Sequence, residues 1–308
     1  MDIPYPSYRV LLEKGLFEER IENARRFFSP CILCPRRCRA KRSEGERGIC
    51  RAADDIYVAS HNLHFGEEPP ISGYRGSGTI FFTWCNLRCV YCQNYPISQL
   101  GIGKKVSIEE LARYMLDLQK RGAHNINLVT PTHYIFQIIS AIYIAAKNGL
   151  TIPIVWNTSG YEVKDGLTLL SGIVDIYLTD IRYFDNSYAV KYSLAPNYKE
   201  YVIDAAKFMY KQVGDLILDD EGIAKRGLII RHLILPNNIS STKEVLEFIY
   251  NEISPYTYIS LMSQYFPAYK ALEFPKIDRK ITKEEFEEAV SYLKEIGLEN
   301  GWIQEWEG

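Results

Sequence analysis

The sequence has no uncharged apolar stretch of the ~18–20 residues needed to span a bilayer. Its longest candidate, Ile135 to Ala146, is interrupted by Gln137 and Ser140 and reads as a buried helix. It also lacks an excess of either charge. A formal net charge of −2 over 308 residues excludes a general nucleic-acid or membrane coat, which needs one sign to dominate. The opening MDIPYPSYRV has no basic run leading into an apolar one, so no signal peptide is expected and a soluble, cytoplasmic protein is. There is no repeat of fixed period. Cysteine is absent from the more than two hundred residues after Cys92, and all seven cysteines lie between 31 and 92. Scattered core cysteines would not cluster this way, and a disulfide framework suits a small secreted domain. Metal ligation explains the grouping.

What is present is an ordinary globular balance: 47% hydrophobic and 24% charged residues, enough to build a core without staples. Residues 8–28 read as helix with a possible break at Gly15. Residues 31–51 are Cys/Arg-rich and helix-poor, and 60–78 is a Pro/Gly-rich connector suited to a lid over a site. From Thr79 onward short apolar runs (79–84, 125–130, 152–156, 173–179, 228–235 and 256–262) alternate with helices. Ser107 with Glu110, Ser241 with Glu244, and Thr282 with Glu285 are capping-box signals, and stops fall near Gly122 and at Gly297. Six strand–helix units imply a parallel sheet with right-handed crossovers, two units short of a closed barrel. The expectation is an α/β fold: a partial, splayed (β/α)6 barrel of the TIM type over 76–308, behind an N-terminal extension over 1–75, with chemistry at the C-terminal strand ends.

TIFFTWCNLRCVYCQNYPIS places Cys85, Cys89 and Cys92 just past the first of those strands, with the spacing C-x3-C-x2-C. A [4Fe–4S] cluster usually takes four thiolates, so three leave one iron open to a non-protein ligand. A zinc knuckle is the alternative, but it wants a fourth ligand, and no His or Cys follows within the loop.

C-x3-C-x-aromatic-C, with Tyr91 as the aromatic, resembles the signature of the radical S-adenosylmethionine superfamily. The resemblance implies an open iron that chelates the cosubstrate's amino and carboxylate groups. Reductive cleavage then gives a 5′-deoxyadenosyl radical that takes hydrogen from a substrate, with Tyr91 packed by the adenine. Residues 76–270 further resemble pyruvate formate-lyase activating enzymes, which install glycyl radicals, especially their PflX-like homologues. By that resemblance Asn94 (in CQN) contacts the cosubstrate. Asn157 and Thr158 (in WNTSG) stand at the ribose and at a monovalent cation, and Asp180 (in YLTDIR) ligates that cation. Arg182 occupies the place of a usual Lys. Gln264 and Tyr265 stand in for a late His near adenine, and Thr130 and Thr132 fall where a Gly-Gly-Glu-Pro run receives the amino group. The partners implied are a low-potential donor such as flavodoxin or ferredoxin, and a glycyl radical protein. A small-molecule, lipid or nucleic-acid substrate, or a non-catalytic electron-transfer role, are the rival readings.

Upstream, CILCPRRCRAKRSEGERGIC supplies Cys31, Cys34, Cys38 and Cys50. Four thiolates at these spacings suit a tetrahedral zinc site or an auxiliary [4Fe–4S] cluster. The surrounding arginines are local charge compensation, a solvated face or a docking surface for an acidic reductase. Among the histidines, His232 reads as a core residue, His133 as a helix cap or site residue, and His61 and His64 as surface or lid residues.

Overall fold

The computed structural model describes residues 6–306. Its ten strands are β1 (Ile56–His64), β2 (Ser77–Phe82), β3 (Lys104–Val106), β4 (Ile126–Val129), β5 (Ile154–Thr158), β6 (Ile176–Asp180), β7 (Ile217–Leu218), β8 (Ala224–Leu233), β9 (Tyr258–Met262) and β10 (Gly301–Ile303). They lie in the order β10-β9-β8-β6-β5-β4-β2-β1-β3, with β7 beside β8. From β2 to β10 every neighbour along this path is parallel. The six expected strands are β2, β4, β5, β6, β8 and β9, each followed by helix, so the fold is the open, partial α/β barrel. Its sheet does not close, and β3 and β10 are its edges.

Local chemistry sets the elements. Ser107 accepts from the Glu110 amide (3.1 Å) while Glu110 accepts from the Ser107 amide (2.9 Å), opening helix Ile108–Lys120. Thr282 and Glu285 do the same for helix Lys283–Ile296, which ends on Gly297 in the left-handed region. Ser241 does not cap: its backbone is left-handed, and Asn238 Oδ1 takes the Thr242 amide instead. The N-terminal helical stretch divides at Gly15 into Tyr8–Glu13 and Phe17–Phe28. Helix Ile135–Lys147 is buried over most of its length, and among the described residues no helix is long and apolar enough to cross a membrane.

Strand parity divides two cores. Ile80, Leu128, Trp156, Tyr177 and Ile230 face outward into the main core under the helices. Val155, Ile176, Leu178 and Ile229 face inward and enclose Ile71. That contact corrects the expected lid. Residues 60–64 belong to β1, antiparallel to β2, and Asn125 Nδ2 donates to the Ile71 carbonyl (2.8 Å). The Pro/Gly segment thus plugs the inside of the barrel at Ile71, while His64, Gly66 and Glu67 reach the cavity at its mouth. A register shift between Val58 and Ser60 breaks the alternation that would have marked β1 as a strand.

Candidate active site

Cys85 leaves the end of β2 through Trp84, whose φ of 67° is left-handed and turns the chain across the barrel mouth. The three thiols converge on one cavity of about 340 Å³ at the C-terminal strand ends. Asn94, Thr130, Asn157, Thr158, Asp180, Arg182 and Gln264 line it too, together with His64, Glu67 and Arg231. Burial pushes the Cys85 thiol up to about 12.

Each sulfur has a hydrogen-bond partner. The Leu87 amide donates to Cys85 Sγ (3.3 Å), and Ser193 Oγ (3.0 Å) and Arg182 Nη1 (3.5 Å) donate to Cys89 Sγ. Ser98 Oγ lies 3.0 Å from Cys92 Sγ. Such contacts suit thiolate ligands, whose charge they stabilise. Among the described residues no three His, Cys, Asp or Glu side chains are placed to hold a single metal ion. A four-iron cube asks for thiolates spread around a space rather than on a point, and the shared cavity is that space. These residues fit a [4Fe–4S] cluster.

Beside the thiols, in the same cavity, lies a partly buried charge cage. Asp180, at the end of β6, takes Arg182 on Oδ2 (Nη2 2.5 Å, Nε 3.1 Å) and Arg231 on Oδ1 (2.7 Å). Burial opposes ionisation of Asp180, but Arg231 and Arg182 outweigh it and hold the carboxyl below its usual range. Arg231 Nη2 also donates to Asn157 Oδ1 (2.7 Å), and Asn157 Nδ2 donates to Glu67 Oε2 (3.3 Å). Glu67, pushed up by burial to about 7 against the pull of Arg231, closes the cage from the plug segment. Arg182 uses its planar fork here, two nitrogens on Asp180 and one on Cys89, a geometry that a lysine cannot reproduce.

Other expected residues fall elsewhere. Thr132 is buried outside the cavity and donates to Glu162 Oε1 (2.6 Å), as does Thr158 (2.6 Å). Tyr265 donates to the Ile277 carbonyl (2.6 Å) and meets Tyr91 edge-on at 5.7 Å. Tyr91, with Gln93, Asn94, Leu233, Met262 and Gln264, lines a second cavity of about 180 Å³ beside the first. His133 is buried and neutral, its pKa pushed down to about 3 by burial, and Nε2 donates to the Thr83 carbonyl (2.8 Å). His232 is a satisfied core residue between the Ile181 carbonyl and Thr242 Oγ1. His61 stacks on Tyr114. The sequence reading missed Glu67, Glu162 and Arg231. Arg231 was legible from parity: in IIRHLILP, Ile229, Arg231 and Leu233 share the inward face, whereas His232 points out.

Glu162 carries its own pH signature. Buried, it is pushed up to about 7 despite donors from Thr132, Thr158 and Trp156. A carboxyl raised above its unfolded value holds its proton longer in the folded state, so stability falls as pH rises from the unfolded value of ~4.5 to ~7 and is then level. Denaturation between pH 4 and 8 is expected to show a loss of about 3 kcal/mol from this group, absent in Glu162→Gln. An equal slope in both proteins would refute the assignment.

An open parallel barrel with three thiols and a polar cage at its strand ends fits the class of cluster-binding α/β barrels. Comparison makes the class specific. Residues 79–215 match the Radical SAM superfamily, so the chain carries a Radical SAM superfamily domain. It is 33% identical over 298 residues to the uncharacterized protein MJ0674 of Methanocaldococcus jannaschii, covering 94% of this chain and 81% of that one. A second protein of that organism, MJ0808, is 24% identical over 286 residues (86% and 78% covered). Among solved structures, Streptococcus suis SuiB superposes with a TM-score of 0.50 at 14% identity, over 74% of this chain. The chain spans about half of SuiB's length (48%), and at that identity the likeness concerns the fold alone.

Proposed function

We propose that the chain binds a [4Fe–4S] cluster through Cys85, Cys89 and Cys92 and S-adenosylmethionine in the adjoining cavity, and abstracts hydrogen from an external substrate. The single observation that carries this reading is the convergence of three hydrogen-bonded thiols and the Asn157–Asp180–Arg182–Arg231 cage on one cavity. When bound, cluster and cosubstrate supply the electron and the carbon radical. The protein's own groups bind and orient. Arg182 steadies Cys89 while anchored to Asp180, and Asn157 and Asn94 present amide groups to the cosubstrate. Arg182 and Arg231 supply at Asp180 the positive charge that a monovalent cation would otherwise bring. Tyr91 walls the adenine side.

We further propose a protein glycine as the hydrogen donor, supported by the likeness of WNTSG and YLTDIR to the activating enzymes and by the unclosed sheet, which leaves room for a loop. An acidic low-potential donor of the flavodoxin or ferredoxin type would meet the exposed Arg37, Arg39 and Arg47. The test offers deuterated donors to reconstituted enzyme: a glycyl-radical-enzyme peptide, then extract fractions from deuterium-grown cells. Deuterium in 5′-deoxyadenosine from the peptide is expected. Transfer only from a small-molecule fraction would overturn the glycine reading and leave radical chemistry standing.

A further inference from the structure

The four N-terminal cysteines are used by no step above. All are free, and Cys31, Cys34 and Cys50 are buried. Their loop is folded tightly by its own backbone: the Cys31 amide donates to Ala40 O (3.0 Å), Arg39 to Cys31 O (2.9 Å), Arg37 to Cys34 O (3.0 Å) and Arg51 to Gly48 O (2.9 Å). A Cβ on Gly48 would stand 2.7 Å from Cys38 Sγ and 3.8 Å from Cys50 Sγ, so the two sulfurs flank one spot that only glycine leaves open. Arg37, Arg39 and Arg51 hold left-handed φ values of 37°, 56° and 68° without glycine's freedom. Little apolar surface holds this loop: its buried apolar residues besides cysteine are Leu33, Ala40 and Ala52.

Arg42 supplies the electrostatic clue. It is fully buried, over the Phe28 ring at 4.3 Å, and donates to Ala53 O through Nε (3.1 Å) and Nη2 (2.8 Å). Among the described residues no carboxylate pairs with it; the anion-forming atom in reach is Cys31 Sγ, 4.0 Å from Nη1. A buried guanidinium needs a counter-charge, and a four-thiolate centre on a divalent metal or a cubane is a dianion. The same extension grips the radical loop. Arg42 Nη1 donates to His133 O (2.5 Å), and His133 donates to Thr83 O. Arg36 Nε donates to Asn86 O (2.9 Å), and Arg51 Nη1 to Gln99 O (3.5 Å). Thr83, Asn86 and Gln99 frame Cys85 to Cys92.

We infer that Cys31, Cys34, Cys38 and Cys50 form a second, thiolate-bound metal centre, closed by side-chain rotation around zinc or a [4Fe–4S] cluster. Its occupancy positions the Cys85–Cys92 loop through Arg36, Arg42 and Arg51. Only the positioning half rests on the function proposed above. Metal analysis of the reconstituted full chain is expected to give either about one zinc beside about four irons, or about eight irons. Cys34→Ala should lose that surplus and keep the first cluster. Amide exchange over 83–99 should then rise about tenfold, and S-adenosylmethionine affinity fall about tenfold. Arg36→Gln, which keeps all seven thiols, should retain both metals yet show the same loosening, and it serves if Cys34→Ala does not fold. Wild-type protein with no surplus metal overturns the centre. Surplus metal lost with exchange and affinity unchanged overturns the positioning. Failure of the first cluster to form at all would refute the proposed function, while the zinc and iron count would still decide the second centre.

Discussion

Replacing any one of Cys85, Cys89 or Cys92 by alanine is expected to abolish the S-adenosylmethionine-responsive cluster outright. The three thiols share one cavity and each has its own hydrogen-bond partner, so none duplicates another. The loss should be all-or-none in the cluster's absorption and paramagnetic spectra, and cleavage should fall to background. Fold stability should change little by comparison, because each change to alanine removes a single sulfur atom and leaves the backbone of the loop in place. Cluster spectra in an alanine variant that still shift on adding the cosubstrate would move the site elsewhere.

Asp180→Ala is expected to have the largest effect on stability. It leaves the partly buried cations Arg182 and Arg231 facing each other without the buried carboxylate that joins them. Removing one partner of a buried ion pair costs about 3–5 kcal/mol, mostly through the charge left behind. Here two charges are stranded, although Glu67, 3.7 Å from Arg231, softens the loss. Denaturant titration of Asp180→Ala should show this decrease, and Asp180→Ala/Arg231→Met should recover part of it, since the double change removes a stranded cation as well. Cosubstrate affinity should also fall, with the cluster retained. A single variant as stable as wild type would mean that the cage is solvated and contributes nothing.

Those two expectations differ in how far they were legible beforehand. The cysteine loop announces itself, because its chemistry is local: three ligands within eight residues just past an apolar run. The six parallel strands were legible for a similar reason, each being a short apolar segment between helices. The cage was only half legible. Asp180 and Asn157 stand at strand ends that a motif marks, but their partners come from distant chain. Arg231 hides in an apolar strand, where only parity separates it from His232. Glu67 sits in a Pro/Gly segment whose composition gives no hint that it turns inward. That it plugs the barrel follows from Ile71 clustering with Val155, Ile176, Leu178 and Ile229, partners so far along the chain that no local pattern encodes them. Strand β1 escaped because its bulge scrambles the alternation. Strand β10 is three residues long, too short for a pattern to mark it, and pairs with β9.

The most direct test of the central claim is anaerobic reconstitution with iron and sulfide, followed by reduction in the presence of S-adenosylmethionine. Methionine and 5′-deoxyadenosine are expected in equal amounts, with neither formed by Cys89→Ala under the same conditions. Intact cosubstrate after reduction of a fully assembled cluster would contradict it.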